Sequence, residues 1–290
     1  MPYTLQSSSD DLVLSEATFA CLRDLIYQAS GLYFNKLNKR TFEHRLRSRV
    51  RALGFQSFER YYLHLRFDHR GEQELAHAID ALAVHETYFF REERALEAFR
   101  WEILPQLARM NARTCALHLW SAGCSTGEEA YTLAMLVREA GLFDDWRVKI
   151  VGSDISARAI RRAQVGIYER SSFRALKGER KERYFVRLEE GNWQIREELR
   201  RMVTFNVANL IEETAIEPER PFDVVFCRNV LLYFDERARR RAALRLHRAL
   251  RDGGYLILGA TESLAALDLP FKLVHLKNDL VYQKISGPVS

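Results

Sequence analysis

A chain of 290 residues is long enough for one large domain or two modest ones, at roughly 100–200 residues each. Hydrophobic residues make up 47% and charged residues 29%, a globular balance that excludes a disordered or fibrous chain. The net charge of +5 is mild, so it does not by itself imply a nucleic-acid partner, and the placement of the charges decides. In chain order, the first ten residues are polar, Ser-rich and expected to fray. Ser15 is placed to cap a helix carrying Phe19, Leu22 and Ile26, which ends near Gly31. A second helix is predicted from about Lys36 to Leu53, with Phe42, Leu46, Val50 and Leu53 along one stripe and Gly54 as its stop. Ser57 should cap a third helix through Tyr61, Tyr62 and Leu65, and a fourth should run from Glu72 to about Val84. Residues 1–84 thus form an expected all-helical N-terminal domain.

After residue 115 the pattern changes. ALHLWSAG (116–123) is an apolar run ending in glycine, followed by a helical stretch from Glu128 to Ala140 and a second apolar run, WRVKIVGSD (146–154). RMVTFNVANL (201–210), FDVVFCRNVLLYF (222–234) and GGYLILGA (253–260) repeat the strand pattern, with an Arg-rich helix from Asp235 to Arg251 before the last. Strands alternating with helices predict a mostly parallel sheet with right-handed crossovers. The tail, FKLVHL-KND-LVYQKI, is expected to close that sheet as an antiparallel hairpin. Residues 168–200 break the alternation, and YFVRL-EEGN-WQIRE predicts a β-hairpin inserted into an α/β domain spanning 85–290. No run approaches the ~20 apolar residues that span a bilayer, and MPYTLQSSSDD lacks the pattern of a secretory signal. Cys21, Cys115, Cys124 and Cys227 show no CxxC or Cys/His spacing. Neither a disulfide framework nor a metal site is expected, and the expected compartment is the reducing cytoplasm.

The first strand of the α/β domain runs into Gly123-Cys-Ser-Thr-Gly127-Glu-Glu129, and a helix follows at once. Glycines there let the chain turn tightly and a ligand lie against the backbone. The segment is neither GxGxxG nor a phosphate loop, and acids at the helix start repel phosphate. A cofactor with a cationic group and no phosphates fits better; S-adenosylmethionine, with an ammonium and a sulfonium, suits Glu129. The plainer reading is that Glu128 and Glu129 only complement the helix dipole. Asp154, at the end of the second strand, is placed to accept both ribose hydroxyls of a nucleoside. Together these features form a nucleoside signature that leaves several cofactors open.

Three segments sharpen the reading: HETYFFRE (85–92), HLWSAGCSTGEEAY (118–131) and FDVVFCRNVLLYFD (222–235). With GGYLILGATESL (253–264) they strongly resemble the CheR-type chemoreceptor methyltransferases of bacterial chemotaxis. The resemblance covers nearly the whole chain. It implies a Rossmann-like S-adenosylmethionine-dependent methyltransferase domain with a small β-subdomain insertion at about 168–200, behind the all-helical domain. The implied cofactor contacts are His85, Thr87, Arg91, Gly123, Glu129, Asp154, Asn209, Leu210, Arg228 and Asn229. The family carries Asn where this chain has His85, and one imidazole tautomer mimics an amide only in part.

The implied reaction moves the methyl of S-adenosylmethionine to receptor glutamates, yielding methyl esters and S-adenosylhomocysteine. A glutamate with a pKa of about 4.3 is already ionised at neutral pH and needs no general base or metal. Arg91 is expected to orient the substrate carboxylate or the cofactor, and Tyr233 to line the methyl. Between Lys36 and Arg51 seven basic residues face one acid, Glu43. Arg40, Arg47 and Arg51 fall off the apolar stripe, which by itself describes a solvated face. In the resembling family this helix recognises the acidic receptor surface. The chain is expected to act as a monomer on chemoreceptor cytoplasmic domains, without nucleic acid or membrane insertion. The acidic 189–192 turn, with its single glycine, predicts independence from a receptor C-terminal pentapeptide. The competing readings are a nucleic-acid methyltransferase and a non-catalytic cofactor-binding signalling module.

Overall fold

A computed structural model describes residues 12–176, 178–212 and 220–285, so the expected fraying of the first ten residues lies outside the described part. The chain divides into two compact units, Met1–Ala83 and Val84–Ser290. Each is built by its own rules.

The elements of the first unit, among the described residues, are helices. Helix α1 (Glu16–Ser30) starts where the Ser15 side chain accepts from Thr18 N and ends at Gly31, whose φ of 75° is the left-handed conformation of a C-cap. The predicted second helix differs at its start: Lys36–Asn38 is a 3-10 turn, because the Asn35 side chain accepts from both Leu37 N and Asn38 N. The α-helix proper, α2, is Lys39–Ala52. Phe42, Leu46 and Val50 are fully buried, but Leu53, predicted on the same stripe, lies past the helix end and is 43% exposed. Ser57 caps α3 (Phe58–Phe67), as its position predicts. Helix α4 is Gly71–Leu82, two residues short of Val84, its end marked by extended Ala83. Phe19 and Phe34 meet Phe42 edge-on, with centroids 5.3 and 5.1 Å away.

The second unit opens with helical turns absent from the sequence reading: α5 (Glu93–Ala98), a π-helical turn (Phe99–Ile103) and α6 (Leu104–Met110). Then come β1 (Ala116–Ala122), α7 (Glu128–Ala140), β2 (Arg147–Asp154) and α8 (Ala157–Val165). The insertion holds β3 (Ile167–Tyr168), α9 (Gly178–Tyr184), β4 (Phe185–Arg187) and β5 (Trp193–Ile195), followed by the short α10 (Glu197–Arg200). The chain continues through β6 (Val203–Val207), β7 (Phe222–Cys227), α11 (Glu236–Ala249) and β8 (Leu250–Leu258). It closes with β9 (Phe271–His275) and β10 (Leu280–Lys284).

The seven-stranded sheet has the order β6-β2-β1-β7-β8-β10-β9. The pairs within β6-β2-β1-β7-β8 are parallel, and β10 is antiparallel to both β8 and β9. This is the mostly parallel, Rossmann-like sheet with the closing hairpin that the pattern predicts. All residues of β1 are buried, as a central strand covered on both faces requires. At the sheet's other end the fully buried Asp223 accepts from His118 N (2.8 Å) and Asn111 Nδ2 (2.9 Å) and pairs with Arg251 at 2.7 Å.

The predicted two-stranded insertion is three-stranded, in the order β3-β5-β4. Ile167–Tyr168 adds the third strand beside β5, a piece too short to leave a period in the sequence. Phe89 anchors the insertion, with its ring 4.8 Å from Tyr168, 5.5 Å from Phe173 and 5.0 Å from Phe185. Two strand predictions also run long. RMVTFNVANL keeps only Val203–Val207, and FDVVFCRNVLLYF ends its strand at Cys227, the remainder turning through a 3-10 segment, Leu231–Tyr233.

Candidate functional site

In a parallel sheet, the loops leaving the carboxyl ends of the strands gather where the strand order reverses. Here the reversal lies at β1, between β2 and β7. Gly123 leaves β1, Asp154 ends β2, Asn209 and Leu210 follow β6, and Arg228 and Asn229 follow β7. The topology thus brings to one edge of the sheet residues that lie far apart in sequence.

The glycine loop is shaped by close contact. Gly123 N and Cys124 N donate to Ser153 O at 2.7 and 2.8 Å, folding the loop back over β2. Gly123 has a φ of +79°, and a Cβ there would come 2.3 Å from Val230 Cγ2. Gly127, with φ +94°, stands just before α7, where a Cβ would come 2.8 Å from Ala163 Cβ. Both positions therefore demand glycine on two counts. Asp154 holds the loop from below: its Oδ2 accepts from Ser125 N (2.8 Å) and its Oδ1 from Ser156 N (2.9 Å). Both carboxylate oxygens thus engage backbone N–H groups at the carboxyl end of β2.

The two acids at the start of α7 have different surroundings. Glu128 turns inward, 2% exposed, and accepts from Thr126 Oγ1 (2.7 Å) and Ser172 Oγ (3.0 Å). Glu129 accepts from Ser121 Oγ (2.7 Å) and Arg228 Nη1 (3.1 Å). Burial pushes both carboxyls above the ordinary carboxylate range; the Arg228 charge opposes this at Glu129 without cancelling it. A largely buried acid held that way favours a cationic ligand.

Arg228 is the centre of an ion network. Its side chain is only 3% exposed, and it pairs with Glu92 at 3.3 Å and with Glu129 at 3.1 Å. Nη2 also donates to Arg91 O at 2.5 Å. Arg228 therefore ties the 86–92 loop to α7. Glu92, assigned no role from sequence, has a φ of +55° and accepts from Asn229 Nδ2 (2.9 Å) and Ala260 N (3.2 Å). Burial would raise the Glu92 carboxyl, but the Arg228 charge and the bonds from Asn229 and Ala260 outweigh it and hold it low. Arg91 donates to Glu86 O at 2.5 Å and lies over the Tyr88 ring at 5.8 Å.

Glu262 is the other residue without a role from sequence. It accepts from the backbone N–H groups of Asn229, Val230, Leu232 and Gly259, at 2.7, 2.9, 3.2 and 2.8 Å. Glu92 and Glu262 both sit inside segments that carry the family resemblance, which is the only sequence signal that points to them. Asn209 accepts from Ile211 N at 3.2 Å and donates to Glu212 at 3.0 Å, and Leu210 is buried beside it. Tyr233, half-buried, ends the 3-10 turn after β7, while His85 and Thr87 are half-buried in the loop that leads to Arg91.

In the helical unit Arg40 and Arg51 are exposed, while Arg47 pairs with Glu43 at 2.5 Å. Arg45 and Arg49 of the same run are structural: Arg45 donates to Leu82 O at 2.6 Å, and Arg49 Nε donates to Glu74 at 2.6 Å. Among the described residues no cluster of His, Cys, Asp and Glu is arranged to hold a metal ion, and no helix is long and apolar enough to cross a membrane.

A Rossmann-like sheet with an acid-lined glycine loop at its carboxyl edge fits a nucleoside-binding domain, and family comparison makes it that of an S-adenosylmethionine-dependent methyltransferase. Residues 85–280 match the CheR methyltransferase, SAM binding domain, and residues 17–83 match the CheR methyltransferase, all-alpha domain. The chain belongs to the CheR methyltransferase family. It is 32% identical to chemotaxis protein methyltransferase 2 of Vibrio cholerae, over 95% of each chain. It is 35% identical to the chemotaxis protein methyltransferase of Salmonella typhimurium, covering 90% of this chain and 89% of that one. The Borreliella burgdorferi chemotaxis protein methyltransferase is 34% identical, over 83% of this chain and 86% of the relative.

Proposed function

We propose that the protein methylates glutamate side chains of chemoreceptor cytoplasmic domains in the cytoplasm, yielding glutamyl methyl esters and S-adenosylhomocysteine. The observation that carries this reading is the family match across both units, joined to the acids that surround the glycine loop. S-adenosylmethionine supplies the electrophilic methyl group when bound. Glu129, with its carboxyl raised by burial, is suited to the ammonium, and Asp154, a carboxylate at the end of β2, to the ribose hydroxyls. Gly123 leaves room for the backbone to lie close, and Asn209 and Leu210 flank the place of the adenine. His85, Thr87 and Asn229 complete the cofactor contacts, and Arg228 acts on them by fixing Glu129 and the 86–92 loop.

The nucleophile is a carboxylate already ionised at neutral pH, so the chain need not abstract a proton. Its work is alignment and exclusion of water. Arg91, held on its own loop, orients the incoming carboxylate, and Tyr233 lines the transfer path. The helical unit recognises the acidic receptor surface through Arg40, Arg47 and Arg51. The Glu43 pair attenuates Arg47, whereas Arg40 is exposed. The inserted β-sheet, whose turn carries Glu189 ahead of Gly191, captures no receptor C-terminal peptide. Calorimetric titration with such a peptide should show no micromolar binding.

The test of the whole reading is incubation with labelled S-adenosylmethionine and receptor cytoplasmic fragments, with RNA as a competitor. Alkali-labile label on receptor glutamates is the expected result. Label on RNA would replace the reading with nucleic-acid methylation, and cofactor binding without any ester would replace it with a non-catalytic module.

A further inference from the structure

We propose that Glu262 is a positioning residue for methyl transfer: its carboxylate fixes the Asn229–Leu232 turn and, through it, the ring of Tyr233. The inference rests on the methyl-transfer reading above and adds a residue to it. Strand β7 ends at Cys227, so the next backbone N–H groups have no ladder partner. Glu262 supplies one. Its Oε1 accepts from Val230 N (2.9 Å) and Leu232 N (3.2 Å), and its Oε2 from Asn229 N (2.7 Å) and Gly259 N (2.8 Å). Two oxygens thus serve four backbone donors, the full capacity of a carboxylate.

The surroundings show how closely this contact is set. A Cβ on Gly259 would meet Glu262 Oε2 at 2.8 Å and Asn229 N at 2.9 Å, so glycine there lets the carboxylate reach the turn. Asn229 has a φ of +59°, a left-handed conformation that Asn adopts more readily than most side-chain-bearing residues. Its side chain is held by Glu92 at 2.9 Å and its backbone by Glu262. Val230 then fills the space above Gly123, where a Cβ would come 2.3 Å from Val230 Cγ2. Moving the turn would therefore push Val230 against the glycine loop and displace Tyr233, which ends the same 3-10 segment. In-line transfer is sensitive to such shifts, because a displacement of about 1 Å costs on the order of a hundredfold in rate.

Glu262→Gln is the informative variant. It keeps the shape but leaves one acceptor oxygen and turns an NH2 group toward two N–H donors. The variant should still bind S-adenosylhomocysteine stoichiometrically, which counts folded sites. Per folded site, kcat on receptor fragments should fall by about tenfold to a hundredfold. Amide exchange should quicken at Asn229, Val230 and Leu232. Adding Tyr233→Phe to Glu262→Gln should cost less than it costs the wild-type enzyme, because both changes act on one alignment. Glu262→Asp, which keeps both oxygens but is one methylene short, should recover part of the rate. Unchanged kcat per folded site, or losses that multiply independently of Tyr233, would overturn the proposal. A wild-type enzyme that forms no ester fails the proposed function itself, and the exchange comparison then decides alone whether Glu262 holds the turn.

Discussion

The helical unit and the α/β unit each bury a glutamate beside a guanidinium, Glu74 and Glu129, and treat the two in opposite ways. Glu74, on α4, is 6% exposed, yet it has a bidentate Arg49 partner and accepts from Tyr61 OH at 2.8 Å. Burial would raise its pKa, but these bonds outweigh burial and hold the carboxyl below its ordinary range. Glu129, on α7, shares one guanidinium with Glu92, and its carboxyl stays raised. The first acid is a finished structural contact. The second is kept short of positive charge, a condition that costs stability in the free protein and favours a cationic ligand.

The most severe test of that contrast removes the shared cation. Arg228→Met should leave Glu92 and Glu129 facing each other in a buried place and cost about 3–5 kcal/mol, read by urea unfolding. Full stability would mean that the network does not hold the 86–92 loop. Next comes Glu74→Ala, which strands Tyr61 OH and Arg49 and should cost about 1–3 kcal/mol by the same measurement.

Glu129→Gln should act in the reverse sense. The free variant should melt at or above the wild type at neutral pH, yet lose the stabilisation by S-adenosylhomocysteine, which for the wild type is about 2.7 kcal/mol at a hundredfold excess over Kd. A free variant that melts well below the wild type would make Glu129 a structural acid like Glu74. The pH dependences should differ too. Glu74, with its lowered pKa, contributes stability above the unfolded value of about 4.3, and that contribution is lost as pH falls through the folded value. Glu129, with its raised pKa, has the opposite sign: its ionisation erodes stability as pH rises through the folded value. Cofactor affinity should therefore weaken in acid as Glu129 is protonated, which titration calorimetry across pH would show. The smallest effect on the fold belongs to Arg40→Glu with Arg51→Glu. Stability should change by less than about 0.5 kcal/mol, while receptor methylation weakens and becomes less sensitive to salt.

The sequence carries much of this architecture. Ser15 and Ser57 announce their helices, the apolar runs announce the long strands, and Gly123 and Gly127 mark the loop. What it hides is mostly contact at a distance. Glu92 meets Asn229 across 137 residues and Glu262 meets it across 33, so no local period records either bond. Glu74 sits one residue before Leu75 on an ordinary amphipathic helix, and only the fold shows that the acid is the more buried of the two. Leu53 fails for the converse reason: its spacing fits the stripe, but the helix ends before it. The helical stretch from Glu93 to Met110 changes its winding through a π turn, which shifts the phase of its apolar positions.

Strands β2 and β6 lie side by side, with Asp154 paired to Val207, although residues 155–202 separate them in the chain. The inserted three-stranded sheet therefore sits within a single connection. The entropy of closing such a connection grows slowly, by about 0.6 kcal/mol for each doubling of its length. Evolution is thereby free to lengthen, shorten or reshape the insertion while Asp154 and Val207 remain in register. A chain built this way can change the accessory sheet without rebuilding the frame that carries the glycine loop.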